Sequence, residues 1–196
     1  MLLTSTGVDS FRAAASQRQY LRTLHEATNE TTAQSPAHPP ALGTPIGRLE
    51  IPRLGVSGAV VHGDNDDLLK GAIGHLPDTP LPWLGGNSAL AAHRDTLFRR
   101  LRDVRSNDVV RLTTPYGNFD YRVRETLIVD PEDLWVLDPT PTTTLTLITC
   151  YPFNYVGSAP RRFIVRAESI TRPDRAPVGR VGGVDPGSMR HGTKDR

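Results

Sequence analysis

The chain has 196 residues with 23 basic and 21 acidic side chains, 17 Gly, 17 Pro and a single Cys. Its net charge of +2 is local: residues 46–170 hold 14 basic against 15 acidic side chains, and residues 171–196 hold six against three. That balance argues against a nucleic-acid-binding face, one Cys excludes an internal disulfide or Cys-rich metal site, and no run approaches the ~20 apolar residues of a membrane span. From the N-terminus, residues 10–30 lack Pro and Gly. Phe11, Ala14, Ala15, Tyr20, Leu21 and Leu24 fall at the spacing of a modestly amphipathic helix, with Asp9 and Ser10 as its caps. Ser35-Pro36-Ala37-His38-Pro39-Pro40 cannot be helix interior and reads as a linker. Beyond Ile170, Pro and Gly recur with almost no apolar clustering, which predicts a flexible tail. The chain therefore divides into 1–45, 46–170 and 171–196, with the folded unit in the middle.

That unit reads as short strands between turn signals. Ile46–Ile51 alternates and stops at Pro52; Ala59-Val60-Val61 stops at Gly63-Asp64. Residues 66–71 predict a helical turn or two, Asn87–Ala92 a buried small-residue strand, and Asp95–Leu101 a short helix. Asp108–Thr113 and Phe119–Arg124 alternate on either side of Pro115-Tyr116-Gly117-Asn118 and predict a hairpin. Leu127–Val129, Leu145–Thr149 and Arg162–Ala167 complete the set. Seven or eight short strands with one or two helical turns in ~125 residues favour a mainly β fold, a closed or nearly closed barrel.

Three side chains stand where such strands end or begin. Cys150 follows Leu145–Thr149, His93 follows Asn87–Ala92, and Arg162 opens the last strand. Antiparallel pairing of the last two strands would set Cys150 beside Arg162 at one rim of the barrel. His93 joins them if its strand runs parallel to that of Cys150. A thiol, an imidazole and a guanidinium at a barrel mouth suffice for acyl transfer: nucleophile, proton donor and oxyanion support. On these residues alone Cys150 is a nucleophile or a packed small hydrophobe. His62 and His75 compete with His93 for the base, and alternation does not choose between Arg161 and Arg162.

Thr146-Leu147-Ile148-Thr149-Cys150, followed by Tyr151-Pro152-Phe153, Gly157-Ser158-Ala159-Pro160 and Arg161-Arg162-Phe163-Ile164-Val165, resembles the signature of sortases, most nearly that of class D. Asn87–Phe98 resembles the family's histidine motif, with Ala91-Ala92 where many relatives have Ala-Gly. Ile46–Leu54 resembles its opening strand, and Gly71–His75 the next landmark. The blocks occur in family order across 46–170.

The resemblance implies an eight-stranded sortase-type β-barrel and a cysteine transpeptidase. Such an enzyme cleaves a sorting signal of the Leu-Pro-x-Thr-Gly or Leu-Pro-x-Thr-Ala type after Thr, holds the acyl group as a thioester, and passes it to an amine of peptidoglycan precursor or a protein. It implies Cys150 as nucleophile, His93 as acid/base and Arg162 as the family arginine, with Arg161 at the surface. The Tyr151–Pro160 segment is expected to wall the substrate groove. Residues 129–144 form the opposite wall, where Leu134, Trp135, Val136 and Leu137 meet the Leu-Pro part of the signal. Ala92, Thr149, Tyr151 and Pro152 complete the expected substrate contacts. No cofactor is implied, although some sortases respond to calcium through acids placed like Asp130, Glu132, Asp133 and Asp138. The implied partners are secreted proteins with C-terminal sorting signals and an amine acceptor. The implied location is the cell envelope outside the cytoplasm, with a membrane anchor preceding the 10–30 helix as its stalk. Alternatives on the same residues are hydrolysis of the same signal and an inactive peptide-binding barrel. An L,D-transpeptidase would show a Ser-x-Gly-Cys motif, which Ile148-Thr149-Cys150-Tyr151 lacks.

Overall fold

The computed structural model describes residues 15–24, 39–155 and 157–170. Residues 15–24 form helix α1; the ends of the expected 10–30 helix, most of the expected linker and the 171–196 tail lie outside the described residues. Eight strands follow: β1 (Pro45–Ile51), β2 (Val56–His62), β3 (Ile73–His75), β4 (Asn87–Ala91), β5 (Val109–Thr114), β6 (Gly117–Val129), β7 (Thr144–Tyr151) and β8 (Arg161–Ser169). They close into a barrel in the order β1-β2-β3-β4-β7-β8-β6-β5. Two neighbouring pairs, β2–β3 and β4–β7, are parallel and the rest antiparallel. Among the described residues no helix is long and apolar enough to cross a membrane.

Period-2 alternation builds the interior. Leu49, Val60, Leu90, Leu112, Val123, Leu147 and Val165 all point inward into one core. A second, smaller cluster lies on the outer wall: Val129, Val136 and Ile164, with Leu127, Leu137 and Ile148 against them. The β5–β6 hairpin turns through Pro115-Tyr116, where the Thr114 hydroxyl accepts from the Tyr116 amide and donates to the Gly117 carbonyl, both at 3.0 Å. Helix α2 (Asp66–Leu69) starts at Asn65, whose side chain accepts from the Leu68 amide at 3.1 Å.

Two local expectations change. Phe119–Arg124 and Leu127–Val129 are one strand, β6, because the ladder to β8 runs through a register shift between Val123 and Glu125. A bulge there absorbs one residue without ending the strand. The helix expected over 95–101 forms only as a 3-10 helix at Arg99–Asp103. Before it, the Thr96 and Phe98 amides both donate to the His93 carbonyl, at 3.4 and 3.1 Å, which makes a tight turn instead of a helix start.

His62 and His75 are register partners on β2 and β3, with their Nδ1 atoms 3.1 Å apart. His75 Nε2 lies 3.1 Å from the Pro80 carbonyl, which can only accept. His75 therefore carries its proton on Nε2 and accepts at Nδ1 from the Nδ1–H of His62. Burial pushes both imidazoles below the usual 6.5. The neutral forms are favoured on folding, so their contribution is full above the unfolded value and is lost as pH falls through the lower folded value. The urea midpoint is expected to be flat from about pH 7 upward and to fall between about pH 6.5 and 5. A midpoint independent of pH across that window would contradict the buried neutral pair.

Candidate active site

The parallel β4–β7 ladder sets Ala91 opposite Ile148. It continues past β4, since the Ala92 amide donates to the Ile148 carbonyl at 3.2 Å and the Thr149 hydroxyl donates to the Ala92 carbonyl at 2.7 Å. One residue further, this register brings His93 alongside Cys150. On the other side of β7, the antiparallel ladder sets Cys150 directly opposite Arg162. His93, Cys150 and Arg162 thus form a row across three adjacent segments, spaced by the roughly 5 Å between neighbouring strands.

The row lies on the outer wall of the barrel and not inside its mouth, which corrects the position expected from strand ends alone. Leu145 and Leu147 are core residues, so Ile148 and Cys150 do not share one face with them; Ile148 belongs to the outer cluster. On β8, Val165 and Ala167 are core while Ile164 is in the outer cluster, and Arg162 shares the face of Ile164. His62, two positions after Val60 on β2, and His75, opposite Leu90, pair with each other on the inner face, away from the outer face of Cys150.

A groove of about 150 Å³ runs along this outer wall. Val129, Ile148 and Ile164 line its floor, Leu134, Val136 and Leu137 its side, and Arg162 is among its lining residues. The side is the 3-10 turn Leu134–Leu137 in the β6–β7 connection. Trp135 does not line the groove: it is half exposed, with the Arg166 guanidinium 5.1 Å from its ring centre. Ala92 and Thr149 are buried, the Ala92 side chain in the barrel core and the Thr149 hydroxyl bonded to the Ala92 backbone carbonyl. Tyr151 stacks on Phe163 and meets Phe153 edge-on, an aromatic cluster at the root of the β7–β8 connection that begins with Pro152.

Arg162 donates from Nη1 to the Ala159 and Arg161 carbonyls at 3.2 and 3.1 Å, which holds its guanidinium against the β7–β8 connection. Arg161 is exposed and faces Asp130 at 3.5 Å. Of the loop acids, Asp133 accepts from the Asp130 amide at 2.9 Å. Among the described residues, no group of three His, Cys, Asp or Glu side chains is placed to hold a metal ion.

Sequence reasoning did not single out Arg94, whose Nη2 donates to the Tyr155 and Gly157 carbonyls at 2.8 and 2.9 Å. Its guanidinium also lies 5.9 Å from the Tyr155 ring centre. The residue next to the imidazole therefore ties down the connection that leads to Arg162. The floor residues Ile148 and Ile164 were also missed. Their signal is an apolar side chain at the outward position beside Cys150 and Arg162, where solvent would favour a polar one.

A closed eight-stranded barrel that sets a lone thiol opposite an arginine, with that arginine lining an apolar groove, suits a cysteine acyl-transfer enzyme. The sortase domain family model matches residues 49–170, and the chain belongs to the sortase family of transpeptidases. It is 41% identical over 134 residues to Sortase D of Bacillus subtilis strain 168, covering 67% of each chain. It is 34% identical over 110 residues to Sortase A of Listeria monocytogenes, covering 54% of this chain and 49% of that one. In fold it matches the Sortase D5 transpeptidase of Clostridium perfringens, with a TM-score of 0.69 at 24% identity over 80% of this chain and 99% of that one. A Clostridium perfringens sortase C solved with a C-terminal cell wall sorting motif matches with a TM-score of 0.61 at 24% identity, over 82% and 90% of the two chains. Class D is the sortase class this chain resembles.

Replacing Arg94 by Ala removes two charge-assisted bonds to the β7–β8 connection, and turnover is expected to fall about tenfold or more. Arg94→Lys should recover only part, because a point charge does not reproduce the fork. Wild-type turnover in Arg94→Ala would show that the connection is held by other contacts.

Proposed function

We propose that this sortase uses Cys150, His93 and Arg162 to cleave a Leu-Pro-x-Thr-Gly or Leu-Pro-x-Thr-Ala signal after Thr and to transfer the acyl group to an amine. The observation that carries the reading is the register that sets Cys150 opposite Arg162, a lining residue of the apolar groove. The groove's aliphatic lining suits a Leu-Pro segment, and its exit at Arg162 leads the following Thr carbonyl to the thiol. The thiolate, the reactive form of Cys150, adds to that carbonyl. Arg162 stabilises the oxyanion with charge-assisted hydrogen bonds. The imidazolium of His93 protonates the departing amine as the carbon–nitrogen bond breaks, which leaves a thioester and a neutral imidazole. An incoming amine then attacks the thioester, His93 takes its proton, and Cys150 leaves as thiolate. The cycle regains thiolate and imidazolium and needs no cofactor. The partners are secreted proteins that carry such a signal and an amine of peptidoglycan precursor or of another protein. The site of action is the cell envelope outside the cytoplasm, with attachment through an N-terminal anchor.

The experiment is mass spectrometry of the protein with Leu-Pro-x-Thr-Gly and Leu-Pro-x-Thr-Ala peptides, with and without triglycine or diaminopimelate. A thioester on Cys150 that becomes ligated product only with amine is the expected result, and Cys150→Ala should give neither. Cleavage without ligation for every amine would instead favour hydrolysis. No adduct with any peptide would sink the proposed signal.

The arginine assignment has its own test. Arg162→Lys should lower kcat about a hundredfold, the scale for loss of an oxyanion donor. Arg161→Lys should stay within about twofold, as expected for an exposed ion pair. Equal losses would mean that the oxyanion is stabilised elsewhere.

A further inference from the structure

Asn87 opens β4, six positions before His93 and on the same outward-facing set of residues as Ala89 and Ala91. It is fully buried. Its Nδ2 donates to two carbonyls of the β6–β7 connection, Val136 at 2.9 Å and Asp138 at 3.0 Å. Its Oδ1 accepts from the Thr146 hydroxyl of β7 at 2.7 Å. Both carbonyls only accept, so the amide nitrogen must face them, and the Thr146 hydroxyl fixes that orientation.

The remaining bonds of the turn are local. The Asp138 amide donates to Trp135 and the Leu134 amide to Glu132. Neither ties the turn to the barrel. From the barrel, Arg166 reaches the Val136 carbonyl only at 3.5 Å and covers the Trp135 ring. Asn87 is thus the close, fully buried link between the groove's floor strands and the turn that supplies Leu134, Val136 and Leu137 to its side. Without its two N–H donors, the Asp138 carbonyl would lose this partner and the Val136 carbonyl would keep only the 3.5 Å bond from Arg166, and a desolvated acceptor that loses its partner destabilises whatever holds it there.

We propose that Asn87, oriented by Thr146, is a positioning residue that sets the width of the substrate groove and so governs the affinity for the signal peptide. The proposal rests on the groove being the peptide site. Asn87 lies upstream of the reacting groups, so it acts on binding and leaves the thiol's chemistry alone. An aspartate at this position would keep the acceptor for Thr146 but set a carboxylate against two carbonyls. Thr146→Val would remove only the orienting hydroxyl and serves as the milder variant.

The test combines hydrogen exchange, steady-state kinetics and alkylation in the intact chain. In Asn87→Asp and Thr146→Val, amides of residues 133–139 should exchange at least about tenfold faster, the scale of one lost buried hydrogen bond, while β7 and β8 are unchanged. KM for a Leu-Pro-x-Thr peptide should rise by a similar factor, with kcat within about twofold and Asn87→Asp the stronger of the two. The pH profile of Cys150 alkylation by iodoacetamide should match wild type. Unchanged exchange would show that Asn87 does not hold the turn. Faster exchange with unchanged KM would show that the turn's position does not set affinity. A fall in kcat with a shifted alkylation profile would place Asn87 in the chemistry; each of these three results overturns the proposal. A wild-type protein that turned over no such peptide would instead sink the substrate reading, while exchange would still decide whether Asn87 holds the wall.

Discussion

The parallel pairing of β4 with β7 is the constraint on which the site depends. Parallel neighbours cannot be joined by a tight turn, and here the connection contains β5, β6 and their loops. His93 and Cys150 are therefore distant in sequence and meet only when the barrel closes. The register must also be right to the residue. A slip of one position would move Cys150 to the core face and send Thr149 to the groove. The Thr149–Ala92 bond opposes such a slip, because it exists only when Ala92 lies beside Thr149. On the far side of β7, the antiparallel ladder carries the same register to Arg162.

A barrel's outer wall is ordinarily its polar face, and this one departs from that rule along β6, β7 and β8. Ile148, Ile164 and Val129 face outward together. Left bare, they would form an exposed apolar strip of the kind that marks a binding surface or an aggregation hazard. The 3-10 turn Leu134–Leu137 covers part of the strip, and the uncovered remainder is the groove. The turn is thus both lid to the second core and side of the cleft. Its exposed residues divide accordingly: Leu134 lines the groove, whereas Trp135 turns away to stack with Arg166.

Much of this was legible in the sequence because it is carried by short-range patterns. Alternation in Ile46–Ile51, Asp108–Thr113 and Phe119–Arg124 marked the strands, and Pro115 to Asn118 marked the hairpin. The positions of Cys150 and Arg162 at strand ends foretold their pairing once antiparallel neighbours were assumed. What failed was information that lives across strands. The 119–124 and 127–129 runs looked separate because Arg124-Glu125-Thr126 breaks the alternation, and only the β8 ladder shows that the strand continues. Strand ends also say nothing about inside and outside near a barrel rim, so the site was expected in the mouth. Ala92 and Thr149 lie next to catalytic candidates in sequence, and adjacency in a strand means the opposite face. Asn87 and Arg94 were part of a recognised block, yet their partners lie in loops whose placement no local pattern encodes.

That block now has a physical reading of its own. Within eight consecutive residues, Asn87 holds the β6–β7 turn and Arg94 holds the β7–β8 connection, with His93 immediately before Arg94. The outward positions between them are Ala89, which is fully buried, and Ala91. Leu90 faces inward and packs into the core. A single short β-strand, paired on both edges, and the three residues after it therefore carry the imidazole and the ties to both connections. Sites built on paired strands hold their geometry better than sites built on loops, and here the two connections are tied by Asn87 on β4 and by Arg94 three residues past its end. One side of the cleft therefore hangs from the start of β4 through Asn87, while the segment just beyond its end carries His93 and Arg94.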